Sequence, residues 1–194
     1  MKIAIIYSTS RKSTKKSCEI LSSKIKADVK LIPIDKVKSE CLLKYKIIIL
    51  AGSAYYGKIQ SSLKIFISRN IKTLMEKPTA LVINCEDDID TRERLNKTFT
   101  QELVDSSYIS SNFGYELNPD EGNLLEKRKI KKIIDKYKKD GKNLPILNAN
   151  EIDNFADCIN NMIEIMFLSL KILINPFFNH VVYAIGKIIY FIRI

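Results

Sequence analysis

Short runs of Ile and Val alternate along this chain with longer segments of helical period. That alternation admits few folds, because it is the pattern of βαβ units whose parallel sheet is buried on both faces. Strands are expected at Lys2–Tyr7, Val29–Ile34, Lys46–Ala51, Thr79–Asn84 and Asn112–Leu117. Helices should fill the gaps, at Thr14–Lys26, a short turn at Lys38–Leu43, Ser61–Met75, Thr91–Val104 and Leu124–Tyr137, followed by a closing helix from Glu151 to about Ile163 capped by Asn150. Five strands with helices between them describe a doubly wound α/β sheet. In such sheets ligands sit beyond the carboxyl ends of the strands, at the point where the strand order reverses. The loops after Tyr7, Ala51 and Asn84 are therefore the places to look for chemistry.

The first of these loops, Ser8, Thr9, Ser10, Arg11, Lys12, Ser13 and Thr14, sets five hydroxyls and two cations between a strand and a helix start. Hydroxyls and the free N–H groups of a first helical turn both donate to phosphate oxygens, and the helix dipole favours an anion there. A phosphate monoester suits such a loop; so does a plain helix cap by Ser13 or Thr14. The second loop, Gly52 to Ile59, comes within one residue of the nucleoside-triphosphate pattern, but Ile59 stands where a magnesium-binding hydroxyl is needed. Its adjacent Tyr55 and Tyr56, relaxed by Gly52 and Gly57, instead offer a face to a planar aromatic ligand, or serve only to cover the sheet's end. The third loop gathers four acids, Glu86, Asp87, Asp88 and Asp90. Carboxylates are at home before a helix, and beside a redox ring they would penalise an anionic reduced state.

Charge and cysteine usage exclude several classes. The net charge of +10 is uneven: +12 over residues 1–75, −7 over 76–125, +6 over 126–142 and −1 over 143–194. Nucleic acid is not the expected partner, since no zinc-finger spacing, RNP-type strand or Arg-rich run accompanies the lysines. Cys18, Cys41, Cys85 and Cys158 form no CxxC pair and read as reduced thiols of a cytoplasmic protein, with no metal site. The N-terminal apolar run is too short for a signal peptide. With a single histidine, His180, far from these loops, a Ser-His-Asp arrangement has no base.

Over residues 1–161 the order and wording of these segments resemble the flavodoxin-like family, and more closely its branch related to menaquinone-dependent protoporphyrinogen oxidase. The resemblance rests on Ile49–Gln60, with its Gly52-Ser53-Ala54-Tyr55-Tyr56-Gly57 core, on Asn112–Leu117 and on Asn150–Ala156. It implies an FMN-binding oxidoreductase or electron-transfer domain. The phosphate would lie in Ser8 to Thr14 and the isoalloxazine ring between Ser53–Gly57 and Asn84, Cys85, Glu86 and Asp87, with Tyr56 stacked on it. Its redox partner would be a quinone, a porphyrinogen or a protein. Lys12 stands where the family usually has Gly, which implies either a strained backbone or a remodelled loop; a non-catalytic module that has lost tight flavin binding is the alternative. The receiver domains of response regulators share the architecture but need an acceptor Asp where this chain has Ala51 and Gly52.

Residues 162–194 form an apolar tail, with 23 apolar residues among 33. Asn175, Pro176, Asn179, His180 and Lys187 interrupt any single spanning helix. Two segments, Met162–Ile174 and His180–Ile194, are expected instead as a helical hairpin. It would meet an anionic membrane surface, on the inner face of the cell membrane, in preference to a second copy in a homo-oligomer.

Overall fold

The computed structural model describes residues 1–9, 12–55, 58–85, 90–119 and 124–174. Five parallel strands, β1 (Lys2–Tyr7), β2 (Asp28–Pro33), β3 (Ile47–Tyr55), β5 (Thr79–Asn84) and β6 (Ile109–Asn112), run in the order β2-β1-β3-β5-β6. A two-residue strand, β4 (Lys58–Ile59), pairs antiparallel with the end of β3. The helices are α1 (Lys12–Lys24), α2 (Ser61–Met75), α3 (Thr91–Phe99), α4 (Gln101–Ser106), α5 (Leu124–Lys139) and α6 (Ala149–Ile174). This is the doubly wound arrangement expected from the alternation of apolar runs, and the flavodoxin-like fold that the resemblance implies.

The apolar runs are continuous because both faces of the sheet are covered. Ile3 to Ile6, Ile47 to Ala51 and Ala80 to Ile83 are fully buried. Every second residue of the three central strands, Ala4 and Ile6, Ile48 and Leu50, Leu81 and Ile83, joins Leu63, Phe66 and Phe99 of the helices after β3 and β5 in one cluster. On the opposite face α1 buries Cys18 and Leu21, and Phe113 meets Phe155 of α6 edge to face at 5.3 Å. Gly52 lets this packing close in: a Cβ there would lie 2.6 Å from Leu63 Cδ2, so the Leu63 side chain would have to shift.

Three expectations need correction. The strand expected at Asn112–Leu117 lies earlier, at Ile109–Asn112, so the two ranges share only Asn112. Gly114 adopts φ +65°, and the chain leaves the ladder to pair with Leu147. The helix expected over Thr91–Val104 is two helices. Thr100, at φ 75°, closes α3 and begins α4, its hydroxyl accepting from the Leu103 N–H. The closing helix is capped by Asn148, whose Oδ1 accepts from the Glu151 N–H at 3.2 Å, so Asn150 already lies inside it.

The chain divides into two compact units, Met1–Ala156 and Asp157–Ile194. In the second, the segment expected as a separate arm at Met162–Ile174 is the unbroken continuation of α6. Ile165, Phe167, Leu168 and Leu170 are exposed along it. The second arm, His180–Ile194, lies outside the described residues. Among the described residues no helix is long and apolar enough to cross a membrane.

Candidate functional site

Strand order reverses between β1 and β3: from β1 the chain proceeds outward to β2, then returns to the other side for β3. Just beyond the carboxyl end of β1, Ser8 N–H donates to the carbonyl of Ala51, within β3, at 2.8 Å, which fixes the start of the hydroxyl-rich loop against β3. Ser8, Ser13, Thr14 and Ser53 are all buried. Four buried hydroxyls at one sheet edge must be satisfied or pay a desolvation cost. Most are satisfied. Ser8 donates to the Gln60 side-chain carbonyl, Ser62 Oγ lies 2.9 Å from Ser8 Oγ, and Gln60 Nε2 donates to Ser53 Oγ at 3.2 Å. Ser13 Oγ accepts from the Glu116 N–H at 3.1 Å.

Thr14 is the exception. Its Oγ1 is buried in the first turn of α1 with no hydrogen-bond partner among the described residues. An orphaned hydroxyl at a helix N-terminus, where N–H groups are also free and the dipole is positive, is the donor set that a phosphate oxygen satisfies. Lys12 opens the same turn and is exposed. It has ordinary helical backbone, since Thr100 is the non-glycine residue with positive φ among the described residues. α1 begins at Lys12, and that residue carries no left-handed strain.

At the end of β5, Asn84 is buried and its side chain is engaged in the scaffold. Nδ2 donates to the Gly114 carbonyl at 2.8 Å and Oδ1 accepts from Ser17 Oγ at 3.1 Å. Cys85 is buried in the core cluster, with its N–H held by Asn112 Oδ1 at 3.2 Å. The same Asn112 oxygen accepts from the Gly114 N–H at 3.0 Å. Asp90 caps α3 by accepting from the Arg92 N–H, so one acid of the third loop serves the helix start.

Of the residues expected at the site, Ser8, Thr9, Lys12, Ser13, Thr14, Ser53, Asn84 and Cys85 are brought to this one edge, with the backbone of Ala54 and Tyr55 beside them at the end of β3. Ser10, Arg11, Tyr56, Gly57, Glu86 and Asp87 lie outside the described residues. Gln60, Ser62, Asn112 and Ser17 are not among the residues that the sequence assigns to the site. Gln60 directly precedes a helix without capping it, and that mismatch is the one local signal it carries. A cleft of about 440 Å³ lined by Ser8, Thr9, Ile34, Asp35, Gln60 and Ser62 opens beside the first loop. A larger one, about 520 Å³, lies between α2 and α3, away from the strand ends.

The sequence matches the flavodoxin-domain family over residues 4–143. No curated protein matches it. Among solved structures, oxidised flavodoxin 2 from Bacillus cereus superimposes with a TM-score of 0.53 at 17% identity, covering 84% of this chain and 99% of that one. The flavodoxin of Streptococcus pneumoniae TIGR4 gives 0.51 at 14% identity, covering 84% and 99%. A short-chain flavodoxin associated with a non-canonical PDU bacterial microcompartment gives 0.51 at 12%, covering 84% and 98%. At these identities the likeness is one of fold.

Proposed function

The chain belongs to the flavodoxin-domain family, and from that premise we propose that it binds FMN at the carboxyl edge of the sheet and moves electrons between a reduced substrate and a quinone or protein acceptor. The orphaned Thr14 hydroxyl at the start of α1, among three other buried hydroxyls, is the observation that carries this reading. Bound FMN would supply one- and two-electron redox chemistry. The residues of this chain bind and orient it. Thr14 Oγ1 and the first N–H groups of α1 donate to the phosphate, with Ser8 and Ser13 beside them and the Lys12 ammonium adding charge from the solvent side. Asn84 and Asn112, bonded to the Gly114 backbone and to the Cys85 N–H, brace the end of β5 from which the third loop departs. Tyr56, outside the described residues, is the residue assigned to the ring face.

The finer assignment is to a protoporphyrinogen-oxidase-like reaction with a porphyrinogen as donor, supported by the Gly52–Gly57 wording. Residues 162–194 would carry the domain to a membrane surface, supported by the exposed apolar side chains along α6 and the apolar sequence after it. The purified protein should be yellow, or turn yellow and quench flavin fluorescence when FMN is added. Thr14→Val, which preserves shape and removes the hydroxyl, should weaken FMN binding about tenfold. A preparation that stays colourless and leaves FMN fluorescence unchanged sinks the proposal.

A further inference from the structure

Helix α5 (Leu124–Lys139) carries eight cations, among them Lys127, Arg128, Lys131 and Lys138, against Glu126 and Asp135. It therefore holds a net +6 of the whole chain's +10. Its apolar stripe is spent on the domain itself, where Ile130 and Ile134 are buried, so the lysines form its outer face. Among the described residues the ion pairs Lys15–Glu19, Lys16–Glu116, Lys24–Asp153, Arg92–Asp105 and Lys97–Glu93 lie on other elements. A shallow cleft of about 450 Å³ runs along the helix between Leu124, Lys127, Arg128, Lys131 and Lys138, with Asp135 as its acid. At the amino end Leu124 and Leu125 are 78% and 67% exposed.

From this we infer that the outer face of α5 docks on an anionic lipid surface. The inference deepens the membrane part of the proposed function and does not depend on flavin. Clustered cations draw the helix to phosphate headgroups, each adding an attraction that salt screens. Two exposed leucines at one end of that face gain by entering the headgroup–acyl boundary. A nucleic-acid backbone or an acidic protein surface would match the charge but would give adjacent exposed leucines no apolar phase.

The test is flotation of the full chain with vesicles of phosphatidylcholine alone and of phosphatidylcholine mixed with phosphatidylglycerol. The expected result is flotation with the mixed vesicles that falls as salt rises. Combining Lys127→Glu, Arg128→Glu, Lys131→Glu and Lys138→Glu should weaken it by roughly tenfold or more. Leu124→Ser with Leu125→Ser should weaken it while keeping its salt dependence. Glutamine at the same four cation positions, with an unchanged thermal midpoint, separates lost attraction from lost fold. All variants keep residues 162–194, so undiminished flotation of the charge-reversed chain assigns binding to the tail and overturns the role of α5 while the membrane reading stands. Absence of flotation by the parent chain, or retention on an acidic protein with no flotation, overturns both.

Discussion

Asn84 Nδ2 donates to the Gly114 carbonyl oxygen at 2.8 Å, and both groups are buried. Asn84 ends β5 while Gly114 lies just past β6, and Ser17 of α1 donates to the other end of the same carboxamide. One side chain therefore ties a helix and two strand exits into a fixed frame around the third loop. Asn84→Leu leaves a buried carbonyl unpaired and removes an acceptor from Ser17. It should lower the unfolding free energy by about 1–3 kcal/mol, measured by urea denaturation.

Gly114 and Gly141 make a matched pair. Both have positive φ, +65° and +64°, but a Cβ at Gly114 would lie 2.7 Å from the Ile146 carbonyl oxygen, whereas at Gly141 it would meet nothing within 4 Å. Gly141→Ala should cost only the left-handed penalty, about 1 kcal/mol, and Gly114→Ala that penalty plus a clash with backbone that cannot rotate away. Equal losses in thermal or urea unfolding would contradict this placement.

The strands at Lys2–Tyr7 and Thr79–Asn84 were legible to the residue because burial on both faces leaves an unbroken apolar run. β6 was not. Ile-Ser-Ser-Asn holds one apolar residue, and its place comes from pairing with Ala80–Ile83 instead of from its own pattern. The break at Thr100 was equally hidden, since no glycine marks its positive φ. At the site, the hydroxyl-rich loop was legible from residue type alone. The clamp made by Asn84 and Asn112 was not, because its bonds to Gly114 and Cys85 join residues separated by 30 and 27 positions.

Cys18 is fully buried, and burial pushes its thiol from the ordinary 9.0 up to about 12. The folded state therefore binds this proton more tightly than the unfolded state. The stability it contributes is whole below pH 9.0 and is lost as pH rises through about 12. Within that window the unfolding free energy of the parent should fall more steeply with pH than that of Cys18→Ala, by up to about 1.4 kcal/mol per pH unit. At neutral pH a thiol reagent should label the half-buried Cys41 and Cys158 and reach Cys18 only after denaturation.

Gln60 is the residue whose removal should tighten the proposed flavin binding. Its side-chain carbonyl takes the Ser8 proton and its amide donates to Ser53, so it bridges β1 and β3 across the place where the phosphate loop begins. If Ser8 is to donate to a phosphate, that hydrogen bond must be given up. Gln60→Ala removes the competitor while leaving Ser62 beside Ser8, and FMN affinity should rise by roughly three- to tenfold, about 1 kcal/mol, the net worth of one such bond. Fluorescence titration with FMN and with riboflavin, which lacks the phosphate, reads this directly. The gain should appear for FMN and be absent for riboflavin. An equal gain for both would place Gln60 beside the ring instead of the phosphate.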